Sequence, residues 1–241
     1  MLHNYILASN PFFDAYFHSD FLGKVIFLSI ILLSIITWIV IGYKGWLLRQ
    51  VKRNCHSFRT HFLKEKRSNP LALEYRSTPL NPYGNLYVSL KTATREILHK
   101  NRYFGQQEQN VASLSADDID LVEARLETMI ANEVKFLDQN LFILSTIVAL
   151  APFLGLLGTV WGILTAFSEM QVQSGITSSQ TVIGALSLAL ATTVLGLIDA
   201  IPALIGYNTF KDWIRRFEID LEQFSHELLS AVELQYRRVE G

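Results

Sequence analysis

The sequence predicts an all-α membrane protein with three transmembrane helices, the N-terminus outside, and long helices extending into a cytoplasmic helical bundle. Three observations predict it. A bilayer's hydrocarbon core is crossed by roughly 20 consecutive apolar residues, and such runs occur at 25–43, 141–167 and about 181–207. The remainder carries helical rather than alternating periodicity. Basic residues also segregate: no Lys or Arg precedes Lys24, whereas Lys44, Arg49, Lys52, Arg53, Arg59, Lys64, Lys66 and Arg67 follow the first run and Lys211, Arg215 and Arg216 follow the third. That asymmetry places these flanks on the cytoplasmic side.

Residues 1–21 are expected to form a periplasmic interfacial helix. Asn10 can cap it and Pro11 suits its first position; Phe12, Phe13, Tyr16, Phe17 and Phe21 then recur at three- and four-residue steps. The alternative is an unstructured tail with aromatic anchors. This segment has no basic start and carries Asp14 and Asp20, so a cleaved signal is rejected. The first transmembrane helix is expected over 22–46, with the basic run behind it anchoring against anionic lipid heads.

A cytoplasmic helical region is expected over 47–139, broken at "SNP" (68–70) and "STPLNPYGN" (77–85), where Pro and Gly mark turns. Helix should resume near Leu86 and run to about Asn101. A second start lies at "SADD": Ser115 can cap and Asp118 sits near the positive end of the helix dipole. Ile119, Val122, Leu126, Met129, Ile130, Val134 and Leu137 follow at mostly helical spacing, predicting a helix that continues into the second span. The second transmembrane helix is expected over 140–168, a periplasmic loop over 169–180, the third over 181–210 and a C-terminal cytoplasmic helix over 211–241.

Residues 152–164, PFLGLLGTVWGIL, lie in a run with no charge from Leu141 to Ser168, yet spend four positions on Pro and Gly and one on a hydroxyl. In lipid, helices associate by close backbone approach through small residues. At about 100° per residue, Pro152, Gly155, Thr159, Gly162 and Ala166 share a side, and Gly158 with Gly162 forms a GxxxG step. The third run repeats the design with Thr181, Ala185, Ala189, Thr192, Gly196, Asp199, Ala200 and Ala203 on one face and Thr193 at its edge; Pro202 can kink the helix. These faces predict tight helix packing. Whether the hydroxyls do more is open, because intramembrane Thr often bonds back to its own helix.

Asp199 is harder to assign to packing, since a charged carboxylate at membrane depth costs a few kcal/mol even on lenient scales. Either it is hydrated near the cytoplasmic interface or it is a proton stop on the inner side.

Cys55 is the only cysteine, which excludes an intrachain disulfide framework. The formal net charge of −1 gives no signal for nucleic acid. No phosphate-cradling loop, HExxH or GxSxG is present, and His3, His18, His56, His61, His99 and His226 all lie outside the spans. Neither an enzyme, a metal nor an organic cofactor is expected.

Two stretches, "LSTIVALAPFLGLLGTVWGILTAF" (144–167) and "ALATTVLGLIDAIPALIGYN" (189–208), resemble the core of the TolQ/ExbB/MotA proton-channel family. Their patterns and the three-span layout resemble the TolQ and ExbB branch; the cytoplasmic region matches weakly. The resemblance implies an inner-membrane ring, a homopentamer, enclosing the single spans of a TolR- or ExbD-like partner whose Asp carries protons. Motion would pass to TolA or TonB. It maps the span-two threonine to Thr159 and the span-three threonine to Thr193, with Thr192 as the substitute. Many members carry Glu five residues before the latter; here Leu188 stands there, while Asp199 occupies a place commonly small and apolar. The resemblance therefore implies a stator driven by proton flow, with a non-conducting scaffold as the alternative, and leaves TolQ against ExbB open.

Overall fold

A computed structural model describes residues 20–65, 71–104, 113–172 and 178–236. Five helices run through the described residues: α1 (Phe21–Glu65), α2 (Pro82–Phe104), α3 (Ala116–Asp138), α4 (Leu141–Val172) and α5 (Ser178–Tyr236). Three of them, α1, α4 and α5, are long and apolar enough to cross a membrane. The expected interfacial helix falls, but for its last residues, outside the described residues, as do the "SNP" break and the middle, 173–177, of the loop expected at 169–180. Of that loop, Glu169 to Val172 belong to α4, and helix resumes at Ser178.

Two compact units divide the chain. The first comprises 1–43 and 140–210, the second 44–139 and 211–241. In the first, Asp20 caps α1 by accepting from Gly23 N–H at 3.0 Å, and its other carboxylate oxygen accepts from Trp161 Nε1 at 2.8 Å. The register is legible from contacts. Phe27 packs on Leu188 and Leu195, and Ile41 lies against Gly206, so numbers rise together and the first and third spans run parallel. Gly196 lies against Ala151 and Gly162 against Ala185 and Ala189, so α4 and α5 run antiparallel. The three spans therefore alternate in direction.

The second unit is built on aromatic rings. Phe224 lies 4.3 Å from Tyr83 and 5.8 Å from Phe62, ring centre to ring centre, and Phe58 meets Tyr75 at 4.9 Å. Surface ion pairs, Arg125 with Glu96 and Lys211 with Asp138, cover this core. Lys44 is buried and donates its Nζ to the Leu137 carbonyl at 2.8 Å.

Helix α1 runs unbroken to Glu65, short of the break expected at 68–70. Two helix boundaries differ from the sequence expectation. Helix α2 starts at Pro82 rather than near Leu86: Asn81 accepts from Gly84 N–H at 3.2 Å, and Pro82 takes the first position, where its missing N–H costs nothing. Helix does not continue from α3 into the second span. Gln139 leaves the helical region with ψ 136° and Asn140 has φ 69°, a left-handed conformation that Asn tolerates better than most residues. The other end of α3 follows the sequence reading: Ser115 Oγ accepts from Asp118 N–H while Asp118 accepts from Ser115 N–H, closing a capping box.

Candidate functional site

The α4–α5 seam gathers most of the sequence's candidates. Built onto Gly155, a Cβ would lie 3.0 Å from both the Thr192 carbonyl oxygen and Thr193 Cα; on Gly162 it would lie 2.7 Å from the Ala185 oxygen, and on Gly196 2.5 Å from that of Ala151. At Gly158 it would overlap the Thr192 side chain. Hydrogen at these positions is what lets the two backbones touch.

Each hydroxyl on the seam has a different assignment. Thr193 crosses it, donating to the Gly155 carbonyl at 3.0 Å. Thr192 is fully buried and donates back to Ala189 at 2.8 Å. Thr159 is half-buried and donates back to Leu156 at 2.7 Å. Gly155, Gly158, Gly162 and Ala166 are buried on α4 while Pro152 and Thr159 are half-buried, so the seam's midline runs through Gly158 and leaves Thr159 at its edge. On α5, Ala185, Ala189, Thr192, Gly196, Asp199, Ala200 and Ala203 are all buried, and Thr193 is half-buried. The Thr181 side chain lies outside the described residues. Pro202 sits within the unbroken α5.

Asp199 is 3% exposed. The Ser34 and Thr37 hydroxyls of the first span lie alongside it, yet neither of its oxygens meets hydrogen-bonding geometry in this conformation. Thr37 instead gives its proton to the Leu33 carbonyl at 2.9 Å. Leu188, also 3% exposed, is packed among Phe27 and Leu195.

Sequence reasoning missed two groups. Ser34 and Thr37 stand three apart in the first apolar run, the spacing that places both on one helix face. In the second unit Glu133 is buried where Val134 was expected; it lies three after Ile130 and four before Leu137, squarely on the apolar stripe. Asn85 Nδ2 donates to Glu133 at 2.8 Å and to the Thr78 carbonyl at 3.0 Å. Burial pushes the Glu133 carboxyl above its ordinary value, with the Asn85 bond pulling partly against it. Burial likewise raises the Tyr83 phenol to about 12. A cleft of about 400 Å³ lined by Asn54, Ser57, His61, Tyr75 and Asn81 also belongs to this unit.

Comparison with known proteins follows the same residues. A profile of the MotA/TolQ/ExbB proton channel family matches residues 95–223, which contain the whole α4–α5 seam. The chain is 29% identical over 217 residues to the biopolymer transport protein ExbB of Pseudomonas putida, covering 90% of this chain and 62% of that one. It is 28% identical to ExbB of Salmonella typhimurium, covering 89% and 83%, and 27% identical to the Tol-Pal system protein TolQ of Pseudomonas aeruginosa, covering 78% and 77%.

Proposed function

Because the chain belongs to the MotA/TolQ/ExbB proton channel family, we propose that it is the channel subunit of an inner-membrane motor that uses the proton motive force to energise an outer-envelope process. The process is TolQ-like envelope maintenance or ExbB-like TonB-dependent import. In this reading the chain spans the bacterial inner membrane three times with its N-terminus outside. Copies form a pentameric ring around a TolR- or ExbD-like single-span partner, which drives a TolA- or TonB-like protein. Protons are the transported ion, and no metal or organic cofactor takes part. The second unit and the basic flanks face the cytoplasm.

One observation carries the reading: within the family-matched segment, the glycine seam sets Thr193 across two spans and leaves the Thr159 hydroxyl at its half-exposed edge. The Thr159 hydroxyl holds only a carbonyl of its own helix, so it can turn to a second partner without loosening the seam. Facing a partner's carboxylate, Thr159 and Thr193 form a site that accepts the acid or donates to the anion by turning a hydroxyl. A proton descending about 100 mV releases ~2.3 kcal/mol, enough to shift a partner span between a charged, held state and a neutral, released one. Asp199 then serves as a stop on the inner side.

The buried, apolar setting of Leu188 favours a second reading, a scaffold that keeps the packing and does not conduct. The double variant Thr159→Val, Thr193→Val separates them. In vesicles holding the chain with its copurified single-span companion, the channel reading expects the ring to assemble and proton flux to be lost. Flux that survives the double substitution, or no flux from the unaltered complex, overturns it. The companion's identity decides between the TolQ and ExbB roles.

A further inference from the structure

We propose that Asp199 and the hydroxyls of Ser34 and Thr37 form a proton-binding site between the first and third spans of a single chain, distinct from the α4–α5 seam. The site's existence does not depend on conduction; only its use as a station on the proton's route rests on the reading above.

The hydrogen-bond inventory carries the argument. Both Asp199 oxygens are buried without a donor. Thr37 is fully buried and its one proton is engaged on the Leu33 carbonyl, so what it offers Asp199 is a lone pair. Of the two hydroxyls at Asp199, Thr37 thus presents a lone pair and Ser34 is the donor within reach. A carboxylate ion there would be a buried charge with at most the Ser34 hydroxyl turned toward it, a costly arrangement. One hydrogen on Asp199 completes the set, donated to Thr37 Oγ1 or to Ser34.

A metal cation is the other species that acceptors could hold. Dedicated oxygen sites supply about six or more ligands, whereas three side chains converge here, and a proton needs one acceptor and no volume. The groups acting on Asp199 are the two hydroxyls, with no ionisable side chain of the described residues among them.

Apolar contacts flank the site along the inter-span groove, Phe27 against Leu188 and Leu195 toward one end and Ile41 against Gly206 toward the other. In the proposed site, loss of the proton from Asp199 is coupled to a rearrangement at the first span. The smallest is rotation of the Thr37 hydroxyl away from Leu33 and onto the new carboxylate. Proton occupancy is in this way tied to how the first span holds the third.

Infrared difference spectroscopy of the full chain in lipid nanodiscs tests this. The expected result is a neutral-carboxyl stretch at neutral pH that is absent from Asp199→Asn and disappears on alkalinisation. Thr37→Val, which removes the acceptor, is expected to weaken proton binding about tenfold, and Ser34→Ala by less. Should Asp199→Asn fail to fold, Asp199→Glu makes the same assignment by moving the band. An ionised carboxyl at neutral pH, a band indifferent to pH in the folded chain, or loss of the band on replacing choline chloride by sodium chloride overturns the proposal. Thr159→Val with Thr193→Val leaves this band in place, so a failure of conduction and a failure of this site read out separately.

Discussion

Where the first unit brings helices together, the buried surfaces carry Ala151, Gly155, Gly158, Gly162, Ala189, Thr192 and Gly196; where the second does so, they carry Phe58, Phe62, Tyr83, Tyr87, Phe217 and Phe224. Solvent explains the difference. In water, burying an aromatic ring is itself the driving force. Against lipid it gains little, and what remains is dispersion between backbones that small residues allow to meet. Many large apolar side chains of the first unit accordingly point outward, among them Phe153, Ile163, Leu190 and Ile201, all well exposed. Each unit also has one acidic residue that is buried as a whole among the described residues. Glu133 has an amide donor supplied by Asn85, whereas Asp199 has none, so the first is built as structure and the second is left incomplete.

Opposite substitutions should therefore damage the two units. The largest effect is expected from Phe224→Ala, which empties a site walled by Tyr83, Phe62 and Phe58. A loss of about 3–5 kcal/mol follows from buried Phe truncation, measurable by chemical denaturation of the purified chain in detergent. In the first unit, removal matters less than addition. Gly196→Ala sets a methyl 2.5 Å from the Ala151 carbonyl oxygen, a backbone atom that moves only with its helix. Overpacking of this kind costs about 1–3 kcal/mol, and cross-linking between cysteines placed on α4 and α5 should fall. An innocuous Gly196→Ala beside a damaging Phe224→Ala would show that the seam is looser than its geometry states.

Much of this division was legible in the sequence, and the exceptions have physical causes. The three spans could be read because twenty apolar residues leave few alternatives. The seam could be read because Gly, Ala and Thr recurred at helical steps, although the step that chose Thr159 over Gly158 for its centre was finer than a wheel of about 100° per residue resolves. Residues 44–65 change from apolar to basic without a helix breaker before 68–70, and α1 continues through them. The interruption at Gln139 and Asn140 carried no Pro or Gly to mark it. Ser34 and Thr37 are polar only by their hydroxyls, and what makes them notable is Asp199, 162 or more positions away in the chain. Such a pairing exists only after folding.

The smallest expected effect sharpens the comparison between the two buried carboxyls. Burial holds Glu133 above its ordinary value in the folded chain, so the folded state keeps its proton more tightly than the unfolded state does. Its contribution to stability is then complete below the unfolded value and is lost as pH rises through the folded one. Glu133→Gln keeps an oxygen for Asn85 to donate to and cannot ionise. Melting temperatures of the two chains, measured from mildly acidic to neutral pH, should therefore diverge as pH rises, with the Gln variant the more stable at neutrality. The reverse trend, with the variant losing ground as pH rises, would mean that the ionised carboxylate is the form the Asn85 amide was placed to hold, and that the second unit's acid contributes through its charge.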